Sequence, residues 1–391
     1  MMFEYFPGNY VWNLGVVATL NSGGLIDEVD RACRPIRDIA AQGSDVGTRE
    51  FLEAWAAVAS DLERAAERDE ERGWREAAGR KYLRAAVYLC QAERMQEAGE
   101  ERNVTYRHLL DLMTKAFERM DPDTTAVRIP YEGTTIPAYF TSAGPGAPCI
   151  VMVNGLDSTK EHIYTSGFPA ELKARGISCL QVDQPGAGEA LRLQGLTARI
   201  DSEAWAGACV DHLLERGDVD PDRIGIAGWS LGGYYVPRAA AFEKRFCLAV
   251  AWGANHDWGA VQRRRLEREG ENPVPHYWKH VLWVWGHEDL DAFIEFADDI
   301  NLDGVVERID VPFLITHGEE DRQIPLRYAH RSYEQATTSP KRELRIFSRA
   351  EGGAEHIGLD NFPLVVDFTA DWIEETFDEI GEGRYRRQVS A

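Results

Sequence analysis

Apolar residues recur at three- and four-residue spacing through the first third of the chain, then give way to short continuous runs. Phe51, Leu52, Trp55, Val58, Ala59 and Leu62 mark one face of a helix. A second helical pattern runs from Trp74 through Ala78, Tyr82, Ala86 and Cys90 to about Met95, and a third carries Leu109, Leu112, Met113 and Phe117. The opposite faces are dense in Glu and Arg, as in residues 63–68, which suits a solvated surface with i to i+4 pairs. The aromatic residues on the apolar faces read as core rather than as a ligand box. Residues 1–120 are therefore expected to form a helical domain.

The pattern changes at Asp121-Pro122-Asp123. Runs at 126–131 and 134–140 flank Glu132-Gly133 and predict a hairpin. Strands follow at 149–153, 177–182, 224–229 and 246–251, separated by helices near 169–175, 202–215 and 231–242. This alternation predicts an α/β fold with a mostly parallel, doubly wound sheet. Residues 255–308 then hold no strand but several helical pieces, at 258–269 and 276–285. The second piece is apolar almost all round (Tyr277, Trp278, Val281, Leu282, Trp283, Val284, Trp285), so it must be buried or line a cavity. An insertion of this size between strands is expected to be a lid. Strands at 311–316 and 343–347 and helices at 326–335 and 362–376 complete a core of residues 121–254 and 309–391.

Chemistry enters at Gly228-Trp-Ser-Leu-Gly232. Ser230 stands between two glycines where a strand gives way to a helix, the arrangement of a nucleophile elbow. Alone, those five residues fit a glycine-rich loop equally well. A serine hydroxyl needs a base within hydrogen-bond reach and an acid that orients the base. In a parallel sheet such groups gather at the carboxyl ends of strands. The strand at 311–316 runs into His317-Gly-Glu-Glu-Asp321, and the strand at 343–347 into a glycine-rich loop ending in His356. Of the ten histidines, His356 alone combines such a loop with a place past the last strand. His317 abuts its strand and is expected to shape the turn. Asp321 is preferred to Glu319 and Glu320 because it lies farther from the strand, before the Pro325 turn. The expected triad is Ser230, Asp321 and His356, in the chain order Ser, Asp, His. Two backbone N–H groups should complete it as an oxyanion hole: those of Leu231 and of Leu156, in the loop after 149–153.

The glycines at 183–188 and 352–353 lack the spacing of phosphate or dinucleotide loops. No H-E-x-x-H or Cys/His cluster appears, so neither metal nor cofactor is expected. With 43 basic and 65 acidic residues the net charge is -22, which argues against nucleic acid or an anionic membrane as partner. The six scattered cysteines read as small buried hydrophobes in a reducing compartment. The first basic residue is Arg31, and the apolar patch from Tyr10 to Leu20 is short and broken by Asn13, so a cytoplasmic location is expected.

Taken together, Gly228-Trp-Ser-Leu-Gly-Gly-Tyr-Tyr235, Asn154-Gly-Leu-Asp-Ser-Thr-Lys-Glu161, His317-Gly-Glu-Glu-Asp321 and Gly352-Gly-Ala-Glu-His356 resemble α/β-hydrolases related to 2,6-dihydroxypseudooxynicotine hydrolase. That group also holds fungal heptaketide-shortening hydrolases and the fermentation-respiration switch protein. The resemblance spans nearly the whole chain and implies an α/β-hydrolase fold with a helical N-terminal cap (1–120) and a helical lid (255–308), the pocket lying between cap and core. It implies hydrolysis of a C–C bond beside a ketone in an aromatic or polyketide-like molecule. The same machinery would serve a carboxylesterase or lactonase, and the switch protein keeps open a regulatory binding role. Trp229, Tyr234 and Trp278 are candidate substrate contacts. Asp257 is the nearest candidate for the acid that assists from the lid and a further candidate substrate contact, or, at least equally, an N-cap ahead of Trp258. The expected partner is a small-molecule substrate, with a homodimer as an open assembly state.

Overall fold

In the computed structural model, which describes residues 3–267 and 272–385, the backbone divides into two units. One comprises the described residues of Met1–Thr125 and Gly270–Trp283, the other those of Ala126–Glu269 and Val284–Ala391. Residues 255–308, expected as one lid, are thus shared between the two units.

The first unit is helical. Its long helices span Thr48–Glu71, Arg75–Arg94 and Glu100–Met120, and the apolar faces read from the sequence are the buried ones. Gly79 lets two of them approach: a Cβ there would lie 2.5 Å from Met120 Cγ. The aromatic residues form a packed string, with Trp12, Phe51, Trp55 and Tyr88 in successive ring contacts of 4.9, 5.4 and 5.8 Å. The Tyr10–Asn21 helix is buried, and Asn13 interrupts its apolar run for a reason. Its amide accepts from the Tyr5 and Phe6 N–H groups and donates to the Phe6 carbonyl, closing the N-terminal turn. All six cysteines are buried free thiols. Among the described residues no helix is long and apolar enough to cross a membrane.

The second unit carries the sheet, apart from the first two residues of its first strand. Its strands are β1 (Thr124–Tyr131), β2 (Thr134–Thr141), β3 (Ala147–Val153), β4 (Ser178–Val182), β5 (Val219–Trp229), β6 (Ala249–Trp252), β7 (Phe313–Gly318) and β8 (Arg342–Phe347). They lie in the order β1-β2-β4-β3-β5-β6-β7-β8. β2 meets β4 antiparallel, and the remaining pairs from β4 to β8 are parallel. The hairpin turns at Glu132-Gly133, both left-handed at φ 43° and 79°. β5 starts earlier than expected: Ala147 opposes Val219 while Cys149 opposes Ile224, so Pro221-Asp222 lies in a bulge within the strand.

Residues of β3, β4, β6 and β7 are buried throughout, as a sheet covered on both faces requires. Over one face Trp252 stacks on Phe362 at 5.2 Å and meets Trp229 edge-on at 5.9 Å. Among the described residues of this unit the helices Lys160–Thr165 and Gly188–Gln194 are too short to show a period in the sequence, and Leu290–Ala297 is a further helical piece of the 255–308 stretch. The expected 258–269 helix runs Trp258–Glu267, and its last two expected residues lie outside the described ones. At the root of the insertion the Trp258 N–H donates to the Ile300 carbonyl and the Leu302 N–H to the His256 carbonyl, at 3.0 and 2.9 Å.

Candidate active site

The parallel register brings the carboxyl ends of the central strands level, with Val153 beside Gly228, Trp229 beside Trp252 and Trp252 beside Thr316. At the end of β5 the chain reverses into the helix Gly232–Phe242 through Ser230, whose φ is 58°. A left-handed serine is a strained conformation, and here two backbone bonds hold it. The Ser230 N–H donates to the Trp252 carbonyl at 2.9 Å, and the Gly233 N–H donates to the Ser230 carbonyl at 2.8 Å.

The glycines make that reversal possible. A Cβ on Gly228 would lie 2.5 Å from Val153 Cγ2 and 3.2 Å from the Cα of Gly232. On Gly232 it would sit 3.3 Å from the Val153 and Asn154 carbonyl oxygens, a tighter fit against β3 than against the elbow. Gly233 is stricter: its Cβ would fall 2.1 Å from the Gly253 carbonyl oxygen. The helix can press against the end of β6 only because this residue has no side chain.

His356 stands between the other two residues. Its Nε2 lies 2.9 Å from Ser230 Oγ and its Nδ1 2.8 Å from Asp321 Oδ2. A carboxylate only accepts, so Nδ1 carries the proton and Nε2 is left to accept from the serine hydroxyl. The Asp321 side chain is wholly buried, and its second oxygen accepts from the Gln323 and Ile324 N–H groups at 2.8 and 3.0 Å. Burial alone would raise the Asp321 carboxyl. His356 and these hydrogen bonds outweigh it and hold the group below the ordinary carboxylate range. His317 does shape the turn: its Nε2 donates to the Ile324 carbonyl at 3.0 Å, and burial keeps its pKa low.

The loop after β3 abuts the serine, since a Cβ on Gly155 would lie 2.9 Å from Ser230 Cβ. Asn154 anchors it. The Asn154 N–H donates to Gln184 Oε1 at 3.1 Å, and its carbonyl accepts from Gln184 Nε2 at 3.0 Å. Ser158 Oγ accepts from the Gly155 N–H and from Trp229 Nε1, at 3.0 and 2.9 Å. Leu156 follows in this loop and is buried. On the other side of Ser230, the Leu231 N–H has no acceptor among the described residues. It begins the helix, where the dipole favours negative charge.

Beneath the loop lies a charged cluster that the sequence did not disclose. Lys160, 2% exposed, places its Nζ 2.7 Å from Glu161, 3.0 Å from Asp183 and 3.1 Å from Glu189. Tyr139 donates to Glu161, and Asn154 donates to Asp183. Burial would lower the Lys160 ammonium, but the three carboxylates raise it well above its ordinary value. The only trace in the sequence was the adjacent Lys-Glu pair in the 154–161 loop.

The candidate substrate contacts are dispersed. Trp229 is 3% exposed, its indole N–H given to Ser158 and its ring packed on Trp252 and Phe362. Tyr234 is buried, with its hydroxyl 3.2 Å from the Ile200 carbonyl. Trp278 belongs to the helical unit, where its ring meets Tyr277 edge-on. Asp257 Oδ1 accepts from the Ala260 N–H at 3.0 Å, the N-cap geometry for the helix from Trp258.

The strand order and the elbow after β5 define the class of fold: the chain has the architecture of an α/β-hydrolase. Residues 206–379 match the sequence profile of the prolyl oligopeptidase family. The chain is 29% identical over 313 residues to the 2,6-dihydropseudooxynicotine hydrolase of Paenarthrobacter nicotinovorans, covering 77% of this chain and 81% of that one. It is 26% identical over 418 residues to hydrolase LUC6 of a Fusarium species, covering 96% and 98%. The crystal structure of 2,6-dihydroxy-pseudo-oxynicotine hydrolase shares the fold with a TM-score of 0.73 at 22% identity, over 92% of this chain and 95% of that one.

Proposed function

We propose that the chain hydrolyses a C–C bond beside a ketone in an aromatic or polyketide-like small molecule, with Ser230 as nucleophile, His356 as base and then acid, and Asp321 orienting the imidazole. The observation that carries this reading is the pair of His356 contacts, 2.9 Å to Ser230 Oγ and 2.8 Å to Asp321 Oδ2. The C–C specificity is supported by likeness to a relative named for 2,6-dihydropseudooxynicotine.

In this mechanism Nε2 takes the hydroxyl proton as Oγ attacks the ketone carbon. The Leu231 and Leu156 N–H groups receive the developing oxyanion. The tetrahedral intermediate expels a carbanion stabilised as its enolate, and the imidazolium returns the proton to it. Water, deprotonated by His356, then hydrolyses the acyl-enzyme and frees Ser230. Asp321 stabilises the imidazolium in both halves and stays ionised, consistent with its lowered pKa.

Mass spectrometry of products from a panel of aryl β-diketones and matched aryl esters tests this. Carboxylate plus methyl ketone from the diketones is the expected result. Turnover of esters alone would replace the proposal with a carboxylesterase, and turnover of neither panel by a chain that labels at Ser230 would overturn the substrate class.

A further inference from the structure

The residue that follows Asp321 is bonded through its side chain to the residue that precedes His356. Arg322 Nε and Nη2 lie 3.1 and 2.9 Å from the two carboxylate oxygens of Glu355. The Glu355 side chain is 5% exposed and that of Arg322 36%, so the fork has one face in solvent and its carboxylate inside. The two loops are joined along the backbone as well. The Glu320 N–H donates to the Ala354 carbonyl at 2.8 Å, and a Cβ on Gly318 would strike that same oxygen at 2.3 Å.

The base loop is fixed from its other side by Asp360. Its carboxylate accepts from three successive N–H groups, those of Gly353, Ala354 and Glu355, at 3.0, 3.1 and 2.9 Å. Directly after His356 the chain turns left-handed at Ile357 and Gly358, with φ 49° and 80°. The Trp252 indole N–H holds the Ile357 carbonyl at 2.9 Å. His356 is therefore suspended between anchored neighbours, and the Arg322–Glu355 fork ties its loop to the acid's own loop at the residues adjoining His356 and Asp321, while Arg349 bonds Glu320 at 3.0 Å farther from them.

We propose that Arg322 and Glu355 are positioning residues that set the register of His356 against Asp321; this rests on reading Ser230, His356 and Asp321 as the catalytic triad. A bidentate guanidinium–carboxylate pair fixes distance and plane together, which a lysine ammonium does not. The two His356 bonds must be met at once, and misplacement by about 1 Å costs on the order of 100-fold in rate.

The test is the second-order rate at which a fluorophosphonate labels Ser230, measured against pH, together with thermal melting, in R322K, E355Q and the exchange R322E/E355R. R322K retains charge at a partly exposed site, so it keeps the test valid even where E355Q fails to fold. R322K and E355Q are expected to label roughly 10- to 100-fold more slowly well below their melting temperatures. The pH profile of labelling should change along with the rate, because a looser Asp321 contact alters how the imidazole is held against Ser230. The exchange should recover part of the rate. Melting that falls while rate and pH profile stay at wild-type values would reduce the fork to a structural tie and overturn the proposal. Absence of labelling in the wild-type chain would instead remove the triad reading itself.

Discussion

His356 Nε2 lies 2.9 Å from Ser230 Oγ although the two residues are 126 positions apart. A contact so distant in sequence depends on the sheet, which brings the ends of β5 and β8 to one edge, and on Asp321, which fixes the tautomer. Asp321→Asn should leave the fold intact and cost about 10⁴-fold in kcat. An asparagine amide can donate to Nδ1, which moves the imidazole proton to Nε2 and blocks acceptance from the serine. Initial rates with circular dichroism as a fold control decide this. A loss under tenfold would contradict the assigned roles.

Gly233 should be far less tolerant than Gly232. An added methyl meets the Gly253 carbonyl oxygen at 2.1 Å in the first case and nothing closer than 3.3 Å in the second. Gly233→Ala is expected to destabilise by about 3 kcal/mol or more, the upper part of the overpacking range, and Gly232→Ala by about 1 kcal/mol. Urea midpoints of the two variants check the order.

Lys160 faces Glu161, Asp183 and Glu189 in a buried cluster, and Arg128 also reaches Glu189 from the surface. Lys160→Met keeps the volume and strands the carboxylates, so it should cost about 3–5 kcal/mol. Asn154 donates to Asp183, so the loop beside Ser230 should loosen too, lowering kcat more than it raises KM. Denaturation and steady-state kinetics on the same variant separate the two effects.

Stability should fall as pH drops below about 6.5. Burial lowers the pKa of both His256 and His317 from the ordinary 6.5. The unfolded chain therefore binds more protons than the folded one just below 6.5, so stability is complete above that value and declines beneath it. Each histidine contributes up to about 1.4 kcal/mol per pH unit within its window. Melting temperatures between pH 7.5 and 5.5 should show this slope, and His256→Asn should make it shallower. A flat wild-type profile would contradict the burial argument.

The parts legible in the sequence were those that depend on local geometry or on strand order. The elbow is five consecutive residues, and in a parallel sheet a strand's end predicts where its next loop emerges, which sufficed to place Asp321 and His356 at the same edge as Ser230. Side chains serving distant backbone were not legible. Asp360 reads as an ordinary helix-entry aspartate until Gly353, Ala354 and Glu355 turn their N–H groups toward it. Lys160 reads as a surface lysine until Asp183 and Glu189 fold over it. Trp229 and Tyr234 stand close to Ser230 in the sequence, and the ring contacts they make with Trp252 and Tyr235 depend on strand alternation and helical period.

The central claim is that Ser230 is a nucleophile activated by His356. Incubation with a fluorophosphonate followed by intact-mass and peptide analysis tests it most directly. One adduct per chain on Ser230, absent from Ser230→Ala and strongly slowed in His356→Ala, is the predicted result. No adduct, or an adduct that persists in Ser230→Ala, would contradict it.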